Sequence, residues 1–348
     1  MKILVVAPSW IGDSVAAQPL FVRLHRKHPG LALDVMAPSW VSPVLRRMPE
    51  VRRVIDNPFV HGEFALAARL RLGRTLRAEC YDEAIVLPNS WKSALVPFFA
   101  RVPKRTGYTG EARYGLLNNR HDLDEVALPK IVQRYAALAD PPGAPLGEAP
   151  PQPRLSADDA RQQATVATVA ALGLADDPAP VAFCPGAEYG PAKRWPAAYF
   201  AELARALASR GHAVWLIGSG KDKAVGAEIA TLAPGASRNL CGATGLDQAI
   251  DLLAAARFVI THDSGLMHVA AALDRPLLAL FGSSSPRFTP PLSPAADVLW
   301  LEIECSPCFK RECPLGHFRC MLDLKPEQVL ARIDARLART AAAQPSGS

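Results

Sequence analysis

Residues 258–281 read FVITHDSGLMHVAAALDRPLLALF. The aliphatic runs at 258–261 and 277–281 are typical of strands, and the stretch between them has helical periodicity from Ser264 onward. Two strands joined through a helix form a βαβ unit, in which the strands are parallel. The segment therefore predicts an α/β protein with a parallel sheet that helices cover on both faces.

The same alternation continues in both directions from this unit. Further strands are predicted at residues 3–7, 31–36, 54–56, 83–87, 181–184 and 212–217, and helices at about 14–28 and 196–210. An amphipathic helix is expected after Lys325-Pro326, with a frayed tail. Strand and helix alternate throughout, as in a doubly wound fold.

A proline-rich segment at 140–153, DPPGAPLGEAPPQP, interrupts the alternation. Successive prolines remove backbone donors and fix φ, so neither helix nor strand continues there. We expect two Rossmann-like halves, one at 1–150 and one at 151–325, followed by a C-terminal helix and tail at 326–348, which could pack back on the first half. In such folds the ligand lies at the carboxyl ends of the strands, here in a cleft between the halves.

Length and charge support this division. The 348 residues carry a net charge of +6, which is too small to require a nucleic-acid partner. Residues 1–150 hold 20 Lys and Arg against 14 Asp and Glu, whereas 151–348 hold 19 of each. The first half is therefore the one expected to contact an anionic partner. No stretch is long and apolar enough for a membrane span, and the run at 3–7 is too short for a signal peptide, so we expect a cytoplasmic protein.

The turn from Asp263 to His268, DSGLMH, joins a buried strand to a helix. Free N–H groups at Ser264, Gly265 and Leu266 would bind phosphate with the help of the helix dipole. The alternative is that Asp263 or Ser264 only caps the helix. The sequence leaves both open.

A second long turn, Cys184 to Pro196, also lies between a strand and a helix. Lys193 falls at the helix start, where the dipole disfavours a cation unless an anion is bound beside it. Lys193 is therefore a candidate diphosphate ligand, and a solvated surface lysine is the alternative. In the first half, Asp13 follows the first strand and is either a helix cap or a general base.

Other motifs are weaker. The segment 218–223, GSGKDK, begins like a dinucleotide fingerprint but has Lys at the third glycine position. Asp122 and Asp124 are more consistent with solvated charge than with a metal site. Seven cysteines is an odd number, and four of them are crowded between residues 305 and 320, which is not typical of a secreted disulfide framework. These four, Cys305, Cys308, Cys313 and Cys320, either bind a structural metal, are linked by oxidation, or are buried or free thiols.

Five collinear blocks carry a family resemblance. They are PSWIGD at 8–13, MAPSW at 36–40, LPNSWKSAL at 87–95, PGAEYGPAKRWP at 185–196 and DSGLMHVAAAL at 263–273. Together, over residues 1 to about 290, they resemble the ADP-heptose:lipopolysaccharide heptosyltransferases of glycosyltransferase family 9, and Ser264 favours their type II branch. The region from about 300 to 325 is outside this resemblance.

The resemblance implies a GT-B fold and an inverting, metal-independent transfer of L-glycero-D-manno-heptose from ADP-heptose to the first heptose of the lipopolysaccharide inner core. No cofactor is expected, and the acceptor is an anionic lipid-linked oligosaccharide at the inner membrane surface, where the enzyme would be peripheral. Asp13 is the implied base. The implied donor residues are Lys193, Asp263, Ser264, Gly265, Leu266, His268, Gly186, Ala187 and Asp222, and those expected at the acceptor are Ser9, Trp10, Lys92, Arg105 and Arg113.

The distribution of charge agrees with this expectation. Between Arg101 and Arg120 there are five cations and one acid, near Tyr108 and Tyr114. Arginine forks suit phosphate and carboxylate groups, although a generic basic surface would have the same composition. The alternatives are a heptosyltransferase of type I or III, another GT-B nucleotide-sugar enzyme, and a nucleotide-binding module without activity.

Overall fold

The computed structural model of the chain describes residues 1–60, 62–156, 159–178 and 180–343. It divides into two compact units, Met1–Ser156 and Ala157–Ser348. Residues 140–153, the predicted linker, contain neither helix nor strand. Within the described residues each unit contains one six-stranded sheet, and every strand pair in both sheets is parallel.

The first unit has a sheet in the order β3-β2-β1-β4-β5-β6. Its strands are β1 Lys2–Val6, β2 Ala32–Ala37, β3 Arg53–Asp56, β4 Glu83–Val86, β5 Lys104–Tyr108 and β6 Asn119–His121. Its helices are α1 Ile11–Lys27, α2 Ser42–Leu45, α3 Leu66–Leu76, α4 Leu95–Phe99 and α5 Ile131–Ala137. The three central strands are the most apolar, and Leu4, Val6 and Ala84 are completely buried in the core.

The second unit has a sheet in the order β12-β11-β10-β7-β8-β9. Its strands are β7 Val181–Cys184, β8 Val214–Leu216, β9 Arg238–Asn239, β10 Phe258–His262, β11 Leu277–Phe281 and β12 Ala296–Trp300. Its helices are α6 Asp159–Ala171, α7 Ala197–Ala208, α8 Lys223–Leu232, α9 Leu246–Ala255, α10 Gly265–Ala272, α11 Arg319–Leu322 and α12 Pro326–Ala343.

Aromatic side chains fill the core of the second unit. Phe200 packs against Trp195 and Phe183, with ring centroids 4.9 and 5.5 Å apart. Burying each such ring contributes about 1.5–3 kcal/mol to folding. Val329 and Ile333 of α12 are completely buried in this same core, so the segment predicted separately as 326–348 belongs to the second unit up to Ala343. Residues 344–348 of the predicted tail lie outside the described residues.

The carboxyl ends of parallel strands all lie along one side of the sheet, here called its carboxyl edge, so the turns that follow the strands lie close together. In the second unit this edge carries the long turn after β7 and the short turn after β10, because β7 and β10 are neighbours. In the first unit it carries the turns after β1, β2 and β4, which are also adjacent. The candidate residues of both units lie mainly in these turns.

Candidate active site

The turn from β10 to α10 consists of Asp263 and Ser264 alone. Ser264 is the N-cap residue in extended conformation, but its side chain makes no capping hydrogen bond. Its Oγ lies 3.2 Å from Oγ1 of Thr261 instead. Capping by Ser264 therefore does not explain this turn, and its hydroxyl leaves the first N–H groups of α10 to other partners.

Asp263 is not a cap either, because its carboxylate is engaged by two side chains. Its Oδ2 lies 2.5 Å from Nζ of Lys193, and its Oδ1 accepts a weak hydrogen bond from Thr289 Oγ1 at 3.4 Å. The side chains of Lys193 and Asp263 are only 15% and 8% exposed. A pair this shielded from water is costly to break, because removing one partner leaves a buried charge.

Lys193 ends a short 3₁₀ turn, Pro191–Lys193, and its ammonium lies 5.0 Å from the ring centre of Tyr189. The sequence argument required an anion beside this lysine. In the structure Asp263 supplies that negative charge, and the aromatic face adds a cation–π contact. Lys193 is thus a positioned, largely buried cation beside the N-terminus of α10, rather than a solvated surface residue.

Two buried histidines flank the same turn. His262 is fully buried and accepts a hydrogen bond from the backbone N–H of Trp195 through Nε2 at 2.9 Å. Burial lowers its pKa to about 4, so the ring is neutral near pH 7. Burial also lowers the pKa of His268 on the first turn of α10. Both imidazoles are therefore buried and uncharged near pH 7, and a donor contact for His268 stays a prediction.

Gly186 and Asp222 connect the turns after β7 and β8. A Cβ on Gly186 would lie 2.2 Å from Oδ1 of Asp222, so a larger residue there would force the Asp222 side chain to move. The other carboxylate oxygen of Asp222 accepts hydrogen bonds from the N–H and the hydroxyl of Ser219, both at 2.8 Å. Asp222 therefore stabilises the turn beside Gly186 and the buried Ala187. A contact of Asp222 with the donor stays a prediction.

In the first unit, Asp13 is the third residue of α1. The N-cap residue is Trp10, which makes no side-chain capping hydrogen bond, so Asp13 is an acidic residue of the first turn and not the N-cap residue itself. The carboxylate is close enough to Tyr135 of α5 to influence it. The pKa of Tyr135 is raised well above its usual value, mainly by burial and further by the negative charge of Asp13.

Ser9, Trp10 and Lys92 lie in the turns at the carboxyl edge of the first sheet. The indole of Trp10 is 49% exposed. The carbonyl of Ser9 accepts a 3.0 Å hydrogen bond from Nε1 of Trp40, and Lys92 Nζ donates to the carbonyl of Gly62 at 3.0 Å. These positions are compatible with an acceptor contact.

Arg105 and Arg113 use their guanidinium groups within the protein. Arg105 donates to the carbonyls of Leu116 and Val102, both at 2.6 Å. Arg113 is buried and donates to the carbonyls of Pro88, at 2.7 Å, and Tyr108. The structure gives both arginines a role in holding loops, and an acceptor contact for either stays a prediction.

Residues 69–319 match the family model described as glycosyltransferase family 9 (heptosyltransferase). The chain is 47% identical over 346 residues to lipopolysaccharide heptosyltransferase 2 of Escherichia coli K12, covering 97% of this chain and 99% of that protein. It is 44% identical over 348 residues to lipooligosaccharide heptosyltransferase 2 of Haemophilus influenzae, covering 97% and 100%.

The chain belongs to glycosyltransferase family 9. Among solved structures, it is similar to the E. coli ADP-heptose lipopolysaccharide heptosyltransferase II, with a TM-score of 0.88 and 45% identity over 98% of this chain and 100% of that one. The fold is therefore GT-B, and the protein is a glycosyltransferase. Both expectations from the sequence are confirmed.

Some neighbours of the candidate residues were not predicted from the sequence. Thr289, which donates to Asp263, lies 26 residues later in a proline-rich stretch with no recognisable motif. Tyr189 lies within the quoted lysine loop, so an aromatic residue four positions before Lys193 was an available signal. The proximity of Tyr135 to Asp13 follows from packing of α5 on α1 and has no local signature.

The cysteine cluster lies in the second unit. Cys305, Cys308, Cys313 and Cys320 are free thiols that line one small cavity together with His317. Cys305 Sγ lies 3.9 Å from His317 Nε2, and Cys313 Sγ accepts the N–H of Phe318 at 3.4 Å. In the part of the chain that the structure describes, no group of three or more His, Cys, Asp or Glu side chains has an arrangement that could hold a metal ion. Nor does any described helix have the length and apolar character needed to cross a bilayer.

Proposed function

We propose that this family 9 enzyme transfers L-glycero-D-manno-heptose from ADP-heptose to the first heptose of the lipopolysaccharide inner core, with inversion at the anomeric carbon. The observation that carries the proposal is the arrangement around α10. A shielded lysine lies beside a helix N-terminus whose N-cap side chain makes no capping bond. This is a suitable site for a diphosphate. The 47% identity to a heptosyltransferase 2 supports the choice of sugar.

In the proposed donor site, the N–H groups of Ser264, Gly265 and Leu266 hold the diphosphate together with Lys193. These groups stabilise the charge that builds on ADP as it leaves. Asp263 keeps the lysine in position through the 2.5 Å contact before the donor arrives. Such fixed donors need little rearrangement as charge develops, and this is the property that lowers a barrier.

Asp13 is the proposed general base. It removes the proton from the acceptor hydroxyl while the oxygen attacks the anomeric carbon, the bond to ADP breaks, and configuration inverts in a single displacement. The transition state has oxocarbenium character, as is usual for glycosidic chemistry. Because Lys193 and the helix N–H groups take up the phosphate charge, the proposed reaction requires no metal or cofactor.

The acceptor is proposed to be an anionic, lipid-linked oligosaccharide. The first unit carries the whole excess of positive charge, 20 Lys and Arg against 14 Asp and Glu up to residue 150. A cytoplasmic enzyme that meets this substrate would work at the surface of the inner membrane, attracted by the anionic head groups.

The proposal is tested by measuring ADP release with defined acceptors. With ADP-heptose, we expect turnover on mono-heptosylated Kdo-lipid A, little on Kdo-lipid A without heptose, and no loss of rate in EDTA. A preference for the heptose-free acceptor would instead assign type I activity, and loss of activity in EDTA would contradict the metal-independent mechanism. Consumption of a different sugar nucleotide in place of ADP-heptose would overturn the proposed donor.

A further inference from the structure

Three turns of the first unit share one sequence pattern and one place in the sheet. β1 is followed by Pro8-Ser9-Trp10, β2 by Pro38-Ser39-Trp40, and β4 by Pro88-Asn89-Ser90-Trp91. Val6 is paired in register with both Met36 and Val86, so the three turns leave the sheet at the same level. Three tryptophans therefore emerge side by side at the carboxyl edge of β2, β1 and β4.

These tryptophans are unusually exposed. Trp10 is 49% and Trp40 50% exposed, whereas Trp195 and Trp215 in the second unit are each 1% exposed. Trp91 is partly exposed and packs on Phe64, itself 45% exposed, with ring centroids 5.1 Å apart. Exposure of several indole rings to water is unfavourable, and exposed apolar patches of this kind mark binding sites.

Hydrogen bonds hold the Trp40 ring and the turn that carries Trp91 in place. Nε1 of Trp40 donates to the carbonyl of Ser9, which joins the turn after β2 to the turn after β1. The backbone N–H of Trp91 donates to the carboxylate of Glu111 at 3.1 Å. A fixed aromatic surface loses little conformational entropy when it binds a ligand.

The polar surroundings indicate what kind of ligand fits. Lys92 directly follows Trp91, and its Nζ donates to the carbonyl of Gly62, so the turn that carries Trp91 also carries a cation. Asp13 lies one helical turn after Trp10, at the start of α1. A bound acceptor would therefore have its anionic groups near Lys92 and a hydroxyl near the proposed base.

We propose that Trp10, Trp40 and Trp91 form an aromatic platform on which the pyranose rings of the acceptor oligosaccharide stack. The C–H face of a sugar is apolar and slightly positive, and it packs against the electron-rich face of an indole. The platform positions the acceptor hydroxyl for Asp13, and it adds Trp40 and Trp91 to the residues that recognise the acceptor. This inference rests on the proposed function, because it assigns the saccharide to the acceptor side of that reaction.

The test is a comparison of Trp40→Leu with Trp40→Phe in the full-length protein. Leu removes the aromatic face, whereas Phe keeps an aromatic face that is smaller than an indole and lacks the N–H group that donates to Ser9. We expect Trp40→Leu to raise the KM for mono-heptosylated Kdo-lipid A about tenfold or more, and Trp40→Phe to raise it only about threefold. The KM for ADP-heptose should be unchanged in both.

A control is Val126→Ala, which removes an exposed apolar side chain of the first unit outside the platform. Val126 lies between β6 and α5 and is 92% exposed. We expect its acceptor KM to equal that of the wild type. Unchanged melting temperatures confirm that the variants fold, and if Trp40→Leu unfolds, Trp91→Leu is used for the same comparison.

Binding without turnover separates this inference from the proposed function. Titration with de-acylated mono-heptosylated acceptor, in the absence of donor, should change the tryptophan fluorescence of the wild type saturably, and more weakly in Trp40→Leu. If transfer occurs but Trp40→Leu retains the wild-type acceptor KM and fluorescence response, the platform is wrong and the function stands. If no transfer occurs but the saccharide binds and Trp40→Leu loses it, the platform stands and the function is wrong. If neither transfer nor binding of the saccharide occurs, the platform and the proposed function are both wrong.

Discussion

The ammonium of Lys193 lies 2.5 Å from the carboxylate of Asp263, 70 residues further along the chain, and both side chains are largely buried. The contact brings together the two turns that follow the neighbouring strands β7 and β10. It explains how a lysine can remain beside a helix N-terminus before an anionic substrate arrives, because the aspartate offsets its charge.

Lys193→Ala should weaken donor binding and slow transfer together. The substitution removes the cation that stabilises the departing diphosphate, so we expect kcat to fall by about 10²–10³. ADP affinity, measured by isothermal titration calorimetry, should fall as well. The control is Lys221→Ala, because Lys221 is 73% exposed and pairs with Glu188 at the surface, where ion pairs contribute little. An unchanged ADP affinity in Lys193→Ala would remove this lysine from the site.

Asp13→Asn should lose catalysis and keep donor binding. The amide preserves the size of the side chain but cannot accept the acceptor proton, so kcat should fall by about 10²–10⁴. Steady-state rates and ADP titration measure the two effects separately. Asp122→Asn, which changes an exposed acid in the same unit, serves as control and should retain activity. Parallel losses of ADP affinity and turnover in Asp13→Asn would mark the residue as structural.

Gly186→Ala should destabilise the second unit by about 1–3 kcal/mol, because the new methyl group overlaps the carboxylate of Asp222. Urea unfolding measures the loss of free energy. Gly220→Ala, at the turn after β8, is the matched control because a Cβ there meets nothing within 4 Å. If the clash is the cause, Gly186→Ala should cost less in an Asp222→Ala background than in the wild type. Equal costs in the two backgrounds would disprove this explanation.

His262 should make the protein less stable in mild acid. Burial lowers its pKa from 6.5 to about 4, so between these values the unfolded chain binds a proton that the folded chain does not. Above pH 6.5 this histidine does not lower the free energy of unfolding. As the pH falls from 6.5 towards 4, the free energy of unfolding decreases by about 3 kcal/mol in total.

The check is urea unfolding near pH 7 and near pH 4.5 for wild type and His262→Gln. The glutamine oxygen can accept the N–H of Trp195 but does not titrate, so the variant should lose less stability on acidification. His121 and His268, whose pKa values burial also lowers, remain in both proteins and produce the residual slope. Identical acid sensitivity in the two proteins would contradict the assignment.

The central strands of both sheets were predictable from the sequence. β7 and β11 have the predicted bounds, because each is a continuous apolar run with turn residues on both sides. β5, β6, β9 and β12 were not predicted. β9 consists of two exposed residues, Arg238 and Asn239, and β12 lies at the other edge of the sheet with its residues half buried, so neither has a buried-strand pattern.

The start of α1 shows why helix ends were less predictable. The helix begins at Ile11, three residues before the predicted start, and its N-cap Trp10 provides no capping side chain. The candidate site could be located in the turns by the rule that ligands bind at the carboxyl ends of strands. The partner of Lys193 could not be predicted, because it depends on which strands become neighbours and not on local sequence.

Heptose transfer itself is tested most directly by the mass of the acceptor after reaction. Purified protein is incubated with ADP-heptose and mono-heptosylated Kdo-lipid A, and the lipid is analysed by mass spectrometry. The predicted result is a gain of one heptose residue with the wild type and no gain with Asp13→Asn. An acceptor of unchanged mass in the presence of folded wild-type protein and intact ADP-heptose would contradict the proposed function.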